Sequence, residues 1–260
     1  MKNPKIFILA GILVVTAIAS TAFINLNKAN TPKATGKGFA LIELFTSEGC
    51  SSCPPADELV AKVQKEIGDK PIYILAFHVD YWNNLGWKDI FSSADYSKRQ
   101  RDYASYIRSS SVYTPQIVVN GKTQFVGSEE GELRSAVKTA LQKNSPASLV
   151  LSDIKANQNQ VKVHYDADGA TNNTTLLLAL VEKTAVNHVK AGENSGRTLS
   201  HVQIVRKLQS IPLSNNKSGT ENIALPNGFN AQNWEIVGFL QNTVTGEVIG
   251  ATKAEFPPAI

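Results

Sequence analysis

Two cysteines, the only two in the 260-residue chain, stand three positions apart at Cys50 and Cys53. An apolar run from Leu41 to Phe45 precedes them and predicts a buried strand, and a helical pattern begins near Pro54. A structural zinc site normally takes four protein ligands, and neither a second cysteine pair nor a closely spaced histidine pair follows. The pair is therefore predicted to be a dithiol or disulfide at a helix N-terminus, where the helix dipole favours the thiolate.

The composition describes a globular body that does not bind nucleic acid. Hydrophobic residues make up 42% of the chain and charged residues 18%, which argues against intrinsic disorder. The net charge is +4, but residues 1–33 hold four lysines and no acid, so 22 basic residues face 22 acidic ones in the remainder. No basic stripe for nucleic acid is expected.

Residues 1–33 are predicted to form an export signal or a membrane anchor with a linker. Two lysines precede an apolar run from Ile6 to Ile24, which is the charge order of a secretory signal. Small residues at Ala17–Ala19 favour cleavage, whereas a helix of roughly 28 Å would also span a bilayer core uncleaved. We expect a periplasmic or secreted body, with inner-membrane attachment only through this segment.

Residues 34–146 alternate between strand and helix patterns. The cysteine pair separates the first strand from the first helix, and an amphipathic helix closes the unit. This order predicts an α/β thioredoxin-like domain. Its other elements are a strand, an aromatic-rich helical segment, a hairpin with an Asn-Gly turn and the closing helix, at Pro71–Phe77, Asn83–Ser111, Thr114–Val126 and Glu130–Lys143.

Residues 147–260 have a different pattern. Six short strand-like runs are separated by polar turns rich in Asn, Gly and Ser, which predicts an all-β sandwich-like domain. Only Thr198–Leu208 has a helical pattern. We therefore expect two structural domains, 34–146 and 147–260, with a boundary near Pro146.

The cysteine pair and a Thr-Pro dipeptide are the main candidates for chemistry. Cys50 is expected to be an exposed, attacking thiol and Cys53 a covered, resolving thiol, and the alternative is a static disulfide. Pro115 is predicted to be a cis-proline beside the pair that blocks metal ions, while the Thr114 backbone binds an extended substrate. The alternative there is a trans-proline that begins an edge strand.

Two acidic residues precede the cysteines. Glu43 lies on the first strand, and a buried carboxyl there would have a raised pKa and could deprotonate Cys53. A register shift of one residue would instead turn Glu43 to the other face of the sheet. Glu48 is expected to be a solvated turn residue.

His78 ends the second strand, where sites in parallel sheets gather. It is either a base beside the dithiol, a third ligand with Cys50 and Cys53 in a copper or zinc site, or a structural residue that caps the strand. The remaining histidines, His164, His188 and His201, are expected to be structural. Glu193 and Arg197 are a candidate ion pair in a loop that closes over the domain junction.

Four segments of the chain resemble the bacterial exported family catalogued as domain of unknown function 1223. The resemblance spans nearly the whole body and implies membership of the thioredoxin-like superfamily, with no settled substrate. The chain departs from ordinary thioredoxins because Ser51-Ser52 stands between the cysteines where those have Gly-Pro. The segments are Glu43–Asp57, His78–Trp82, Tyr113–Gln116 and Gly192–His201.

The function predicted from the sequence is that of an exported thiol–disulfide oxidoreductase acting on protein or small-molecule thiols and disulfides. A redox partner protein is expected, and neither a cofactor nor a metal. One alternative is a copper- or zinc-binding protein or metallochaperone that uses Cys50, Cys53 and His78. The other is a non-enzymatic interaction module whose disulfide only staples a loop.

Overall fold

The computed structural model describes residues 36–157, 159–213 and 217–257. Within them no helix is long and apolar enough to cross a membrane, and the predicted signal or anchor in residues 1–33 lies outside the described residues. The described residues form eleven strands and three α-helices. In chain order these are β1 (Ala40–Thr46), α1 (Pro54–Glu66), β2 (Ile72–His78), α2 (Ala94–Ile107), β3 (Gln116–Val119), β4 (Thr123–Val126), α3 (Glu130–Gln142), β5 (Ser148–Ala156), β6 (Gln160–Asp168), β7 (Thr174–His188), β8 (Thr198–Pro212), β9 (Ser218–Ala224), β10 (Trp234–Asn242) and β11 (Val248–Glu255).

Eight of the strands form one mixed sheet in the order β11-β10-β7-β8-β2-β1-β3-β4. β2 is parallel to both β1 and β8, and the other neighbouring pairs are antiparallel. The strands β5, β6 and β9 form a separate antiparallel sheet. The large sheet therefore contains strands from both sides of residue 146.

The two faces of the large sheet are covered by different layers. Side chains alternate along a strand, so Leu41 and Phe45 of β1 face one core together with Phe239 and the α2 residue Tyr103. On the opposite face, α1 and α3 cover the β1 half of the sheet. The three-stranded sheet covers the β7 and β10 part of that face.

The order of elements from β1 to α3 agrees with the prediction, but the predicted fold class is wrong. The sheet does not end at β2, because β8 pairs beside it through Ala76 and Ile204 and brings β7, β10 and β11 into the same sheet. The structure is thus a mostly β fold around one mixed sheet, not a thioredoxin-like domain followed by a sandwich. The boundary near Pro146, between α3 and β5, stays a prediction.

The helix predicted for Thr198–Leu208 is also wrong, because this segment lies within β8 and pairs with β7 along its length. The pairing register shifts beside Val181, and Gln203 has a positive φ of 54°. Such an irregularity interrupts the two-residue alternation of a strand. Val202 and Val205, three residues apart as on one face of a helix, pack on opposite faces of the sheet.

A buried ion pair lies on the α2 side of the large sheet. Arg99 Nε donates to Glu43 Oε2 at 2.6 Å, and Arg99 Nη1 donates to Gln241 Oε1 at 3.1 Å. Tyr103 contributes hydrogen bonds to both Arg99 and Glu43. Burial alone would lower the pKa of Arg99, but Glu43 outweighs it and raises that pKa above its ordinary value.

Replacement of Arg99 tests the importance of this pair. Arg99→Met leaves the Glu43 carboxylate buried without its cation, and we expect the free energy of unfolding to fall by about 3–5 kcal/mol. Urea denaturation measures the loss. The control is Lys98→Met on the same helix, because Lys98 forms an exposed pair with Asp102 that contributes little. Equal losses in the two variants would contradict the prediction.

Candidate functional site

The two cysteines form a disulfide at the junction of β1 and α1. Their Cα atoms are 5.4 Å apart. Cys53 is the residue before the helix, and Pro54 occupies the start of its first turn, where a missing N–H costs no hydrogen bond. The carbonyl oxygen of Cys53 accepts from the N–H groups of Ala56 and Asp57, so the pair is placed at the N-terminus of a helix, as predicted.

Two hydroxyl groups lie beside the sulfur of Cys50. Thr114 Oγ1 donates to Cys50 Sγ at 3.3 Å, and it accepts from Trp82 Nε1 at 2.8 Å. Ser52 Oγ lies 3.3 Å from the same sulfur. The Thr114–Pro115 peptide bond is cis, as predicted. Thr114, two residues before β3, therefore approaches the pair through its side chain.

The loop of residues 189–197, which joins β7 to β8, covers the cysteine turn. Asn194 Nδ2 donates to the carbonyl oxygens of Glu48 and Cys50, each at 2.9 Å. Glu193 Oε2 accepts from the N–H of Ser51 at 3.0 Å. Cys50 is fully buried, so the prediction of an exposed Cys50 is wrong. The sequence gives no local sign of a cover that is more than 140 residues away.

The loop is held by its own contacts and by a close approach to the turn before α2. Arg197 Nη1 donates to Asn194 Oδ1 at 2.9 Å, while Glu193 accepts from the N–H of Ser51. The expected ion pair between Glu193 and Arg197 is therefore not formed. Gly192 has a φ of 74°, and a Cβ there would stand 3.1 Å from the Cβ of Trp87. A side chain at Gly192 would therefore be unfavourable both because of the positive φ and because of its close contact with Trp87.

A set of buried acidic and imidazole groups surrounds the start of α1. We name it the histidine–carboxylate cluster, and it consists of Glu48, Asp57, His78, Asp89 and His201. Asp89 Oδ2 lies 2.7 Å from His78 Nδ1, and Asp89 also accepts from the N–H groups of Glu48 and Phe91. Burial would raise the pKa of Asp89, but His78 and these donors together lower it.

His201 stands between two carboxylates of the cluster. Its Nδ1 lies 3.1 Å from Asp57 Oδ1 and its Nε2 lies 3.4 Å from Glu48 Oε1. Burial would lower the pKa of His201, but the hydrogen bond to Asp57 and the nearby Glu48 outweigh it and raise the pKa to about 10. The two carboxylates therefore favour the protonated form of His201.

One expectation about the cluster needs correction. Glu48 is not a solvated turn residue, because it is fully buried and accepts from Trp87 Nε1 and Asn187 Nδ2. His201, expected to be structural, joins β8 to the first turn of α1 through Asp57. The partners of both residues lie far away along the chain, so local patterns could not identify them.

Glu43 lies apart from the cysteine pair. It shares a face of β1 with Leu41 and Phe45, whereas α1 packs against Ala40, Ile42 and Leu44 on the other face. Its carboxylate is paired with Arg99. The structure thus brings Thr114 and Pro115 to the cysteines but holds Glu43 on the opposite face of the sheet.

The charge of His201 predicts a pH-dependent contribution to stability. The pKa in the folded protein is about 10, against an ordinary value of 6.5, so the folded state binds the proton more tightly than the unfolded state. The contribution is complete below pH 6.5 and is lost as the pH rises through 10.

We therefore expect His201→Gln to destabilise the protein most at the acidic end of this range, with the difference from wild type shrinking toward pH 10. Urea unfolding in buffer that contains EDTA measures it. The control is Gln160→Ala on β6, outside the cluster, which removes no titrating group and should give a difference that changes little with pH. A constant difference for His201→Gln would contradict the assigned charge.

Solved structures resemble this chain to different degrees. A crystal structure of a protein from Agrobacterium tumefaciens shares 24% sequence identity with a TM-score of 0.66, and the match covers 87% of this chain and 98% of that one. At this identity the likeness concerns the fold alone. A domain of the outer-membrane lipoprotein Omp28 from Porphyromonas gingivalis shares 17% identity over 44% of this chain and 90% of that one, with a TM-score of 0.25. So low a score supports no argument.

The search of curated proteins found no match. The family model described as "Protein of unknown function (DUF1223)" matches residues 41–241. This range includes the cysteine pair, the cis-proline, the covering loop and all five residues of the histidine–carboxylate cluster. The chain belongs to the DUF1223 family.

Proposed function

We propose that the protein is a thiol–disulfide oxidoreductase that uses Cys50 and Cys53. The observation that supports this most is the disulfide at a helix N-terminus, with the Thr114 hydroxyl donating to Cys50 Sγ beside a cis-proline. Hydroxyl donors and a helix N-terminus both stabilise a thiolate relative to a thiol. A disulfide that closes only a short loop adds little to stability. Stabilisation of the fold therefore accounts for the Cys50–Cys53 bond less well than redox chemistry does.

The reaction begins with the reduced pair. The Cys50 thiolate attacks a substrate disulfide, a bond forms between Cys50 and one substrate sulfur, and the other substrate sulfur leaves as a thiolate. Cys53 then attacks Cys50, the mixed disulfide breaks, and the substrate leaves reduced while the Cys50–Cys53 disulfide forms. The reverse sequence oxidises a substrate dithiol. Trp82, which donates to Thr114, orients the hydroxyl toward Cys50.

An oxidising compartment fits this chemistry, since disulfides persist in the periplasm and outside the cell. The expected N-terminal export signal supports such a location. The proposed substrates are protein or small-molecule thiols and disulfides. Cys50 is fully buried and the 189–197 loop hydrogen-bonds to its carbonyl oxygen, so we propose that the loop moves aside when a substrate binds. Loop opening is therefore a step of the proposed reaction.

Asn194→Ala tests whether the loop controls access. The change removes the hydrogen bonds to the Glu48 and Cys50 carbonyl groups, which favours the open loop. At about 1 kcal/mol for each lost bond, we expect dithiothreitol to reduce the disulfide roughly ten-fold faster or more. Thiol release with time measures the rate.

The control for that experiment is Ser195→Ala in the same loop. The Ser195 hydroxyl donates to the Lys190 carbonyl, away from the cysteine turn, so its removal should leave the rate of reduction near that of the wild type. Equal rates for Asn194→Ala and wild type would show that the loop does not limit access.

Single cysteine variants test the proposed roles of the pair. In Cys53→Ser the resolving thiol is missing, so mixed disulfides on Cys50 should persist. In Cys50→Ser the remaining Cys53 lacks the Thr114 donor, and we expect almost no adducts. Both variants are expressed in an exporting bacterium, quenched with acid and compared on non-reducing gels.

The double variant Cys50→Ser/Cys53→Ser is the blank for this comparison. Equal trapping by the two single variants would contradict the assigned roles. A complete lack of adducts, together with a wild-type protein that neither reduces nor oxidises model disulfides, would favour the non-enzymatic interaction module.

A further inference from the structure

We propose that Asp57, His78 and His201 form a binding site for a divalent transition-metal ion that does not use the cysteines. Each residue offers one nitrogen or oxygen ligand atom, and these atoms all lie within 4.8 Å of one another. All three residues are buried. They come from three different elements, α1, β2 and β8, so the fold itself assembles the set.

His78 is oriented in the way that metal-binding histidines are. Asp89 accepts two backbone N–H groups in addition to its contact with His78, so it acts as an ionised acceptor and His78 Nδ1 must donate to it. In the tautomer with the proton on Nδ1, the ring's lone pair lies on Nε2. In the part of the chain that the structure describes, this fully buried atom has no hydrogen-bond partner. Metal-ligating histidines typically donate their other N–H to a carboxylate in the same manner.

Asp57 and His201 supply the other two ligand atoms. Asp57 Oδ1 and His201 Nδ1 are 3.1 Å apart, while two ligands of a tetrahedral zinc ion stand about 3.3 Å apart. Thr46 Oγ1 donates to the second carboxylate oxygen, Asp57 Oδ2, at 2.8 Å and so fixes the carboxylate. The ion takes the place of the proton that joins Asp57 to His201, and that proton is released to solvent.

Neighbouring groups complete the arrangement. Glu48 Oε1 lies 3.4 Å from the other ring nitrogen of His201, Nε2, which has no hydrogen-bond partner among the described residues, so Glu48 adds negative charge beside the site. Three buried carboxylates, Glu48, Asp57 and Asp89, provide the negative charge that a divalent cation requires. Two imidazoles and one carboxylate suit zinc and related first-row ions better than calcium or magnesium.

The first experiment separates this site from thiol chemistry. Cys50→Ser/Cys53→Ser protein is stripped with EDTA and titrated with Zn²⁺, and the bound metal is counted by elemental analysis after gel filtration. We expect one zinc per chain. Co²⁺ should give the visible bands of nitrogen and oxygen ligands without a thiolate charge-transfer band. Oxidised wild-type protein should also bind one zinc per chain and give the same cobalt spectrum. This comparison shows that the result does not come from misfolding of the double variant.

Substitutions of the proposed ligands, compared with substitutions of histidines elsewhere, then locate the ion. His78→Ala and Asp57→Asn, made in the cysteine-free protein, should each weaken zinc binding by roughly 100-fold or more. The control is His164→Ala/His188→Ala, which removes the two histidines outside the cluster and should bind as tightly as its parent. Circular dichroism confirms that each variant is folded before titration.

Three outcomes would overturn the proposal. They are no zinc bound by either the oxidised wild type or the cysteine-free protein, unchanged affinity in a folded His78→Ala variant, and loss of the ion in the His164/His188 control. Because the cysteine-free protein cannot perform thiol exchange, neither a positive nor a negative result here depends on the proposed oxidoreductase function.

Discussion

The pairing of β8 with β2 is the contact on which both the sheet and the site depend. It aligns Ile204 with Ala76 in parallel and thereby joins β7, β10 and β11 to the strands that precede and follow the cysteines. The same pairing holds the β7–β8 hairpin so that its closing loop, residues 189–197, contacts the cysteine turn. β8 also carries His201, the side chain that contacts Asp57 at the start of α1.

Burial of charge is the main energetic constraint around the cysteines. An unpaired buried charge costs several kcal/mol, so each carboxylate of the histidine–carboxylate cluster requires its own donors. Asp89 has two backbone N–H groups and His78, Glu48 has Trp87 and Asn187, and Asp57 has Thr46 and His201. These donors come from β1 and the turn after it, from β2, β7 and β8, and from the segment before α2. The cluster therefore depends on the complete fold and not on any one segment.

The features that the sequence predicts correctly are local ones. The strand, turn and helix around Cys50 and Cys53 follow from hydrophobic spacing and from the cysteine positions. The place of Pro115 in the order of elements predicts its cis bond, which the structure has. What could not be predicted depends on distant partners. Asp57 and His201 are 144 residues apart, and Glu48 and Asn187 are 139 apart. The prediction of the fold class is wrong for the same reason, because the pairing of β8 with β2 joins segments that are distant in the sequence. The irregularity of β8 at Gln203 also hides its strand pattern.

Glu48 connects the cover of the disulfide to the buried cluster. Its carbonyl oxygen accepts from Asn194 of the covering loop, while its carboxylate faces His201 and accepts from Asn187 of β7. Its backbone N–H donates to Asp89, which in turn holds His78. Glu48, two residues before Cys50, therefore contacts the covering loop through its carbonyl oxygen and the histidine–carboxylate cluster through its carboxylate and its backbone N–H.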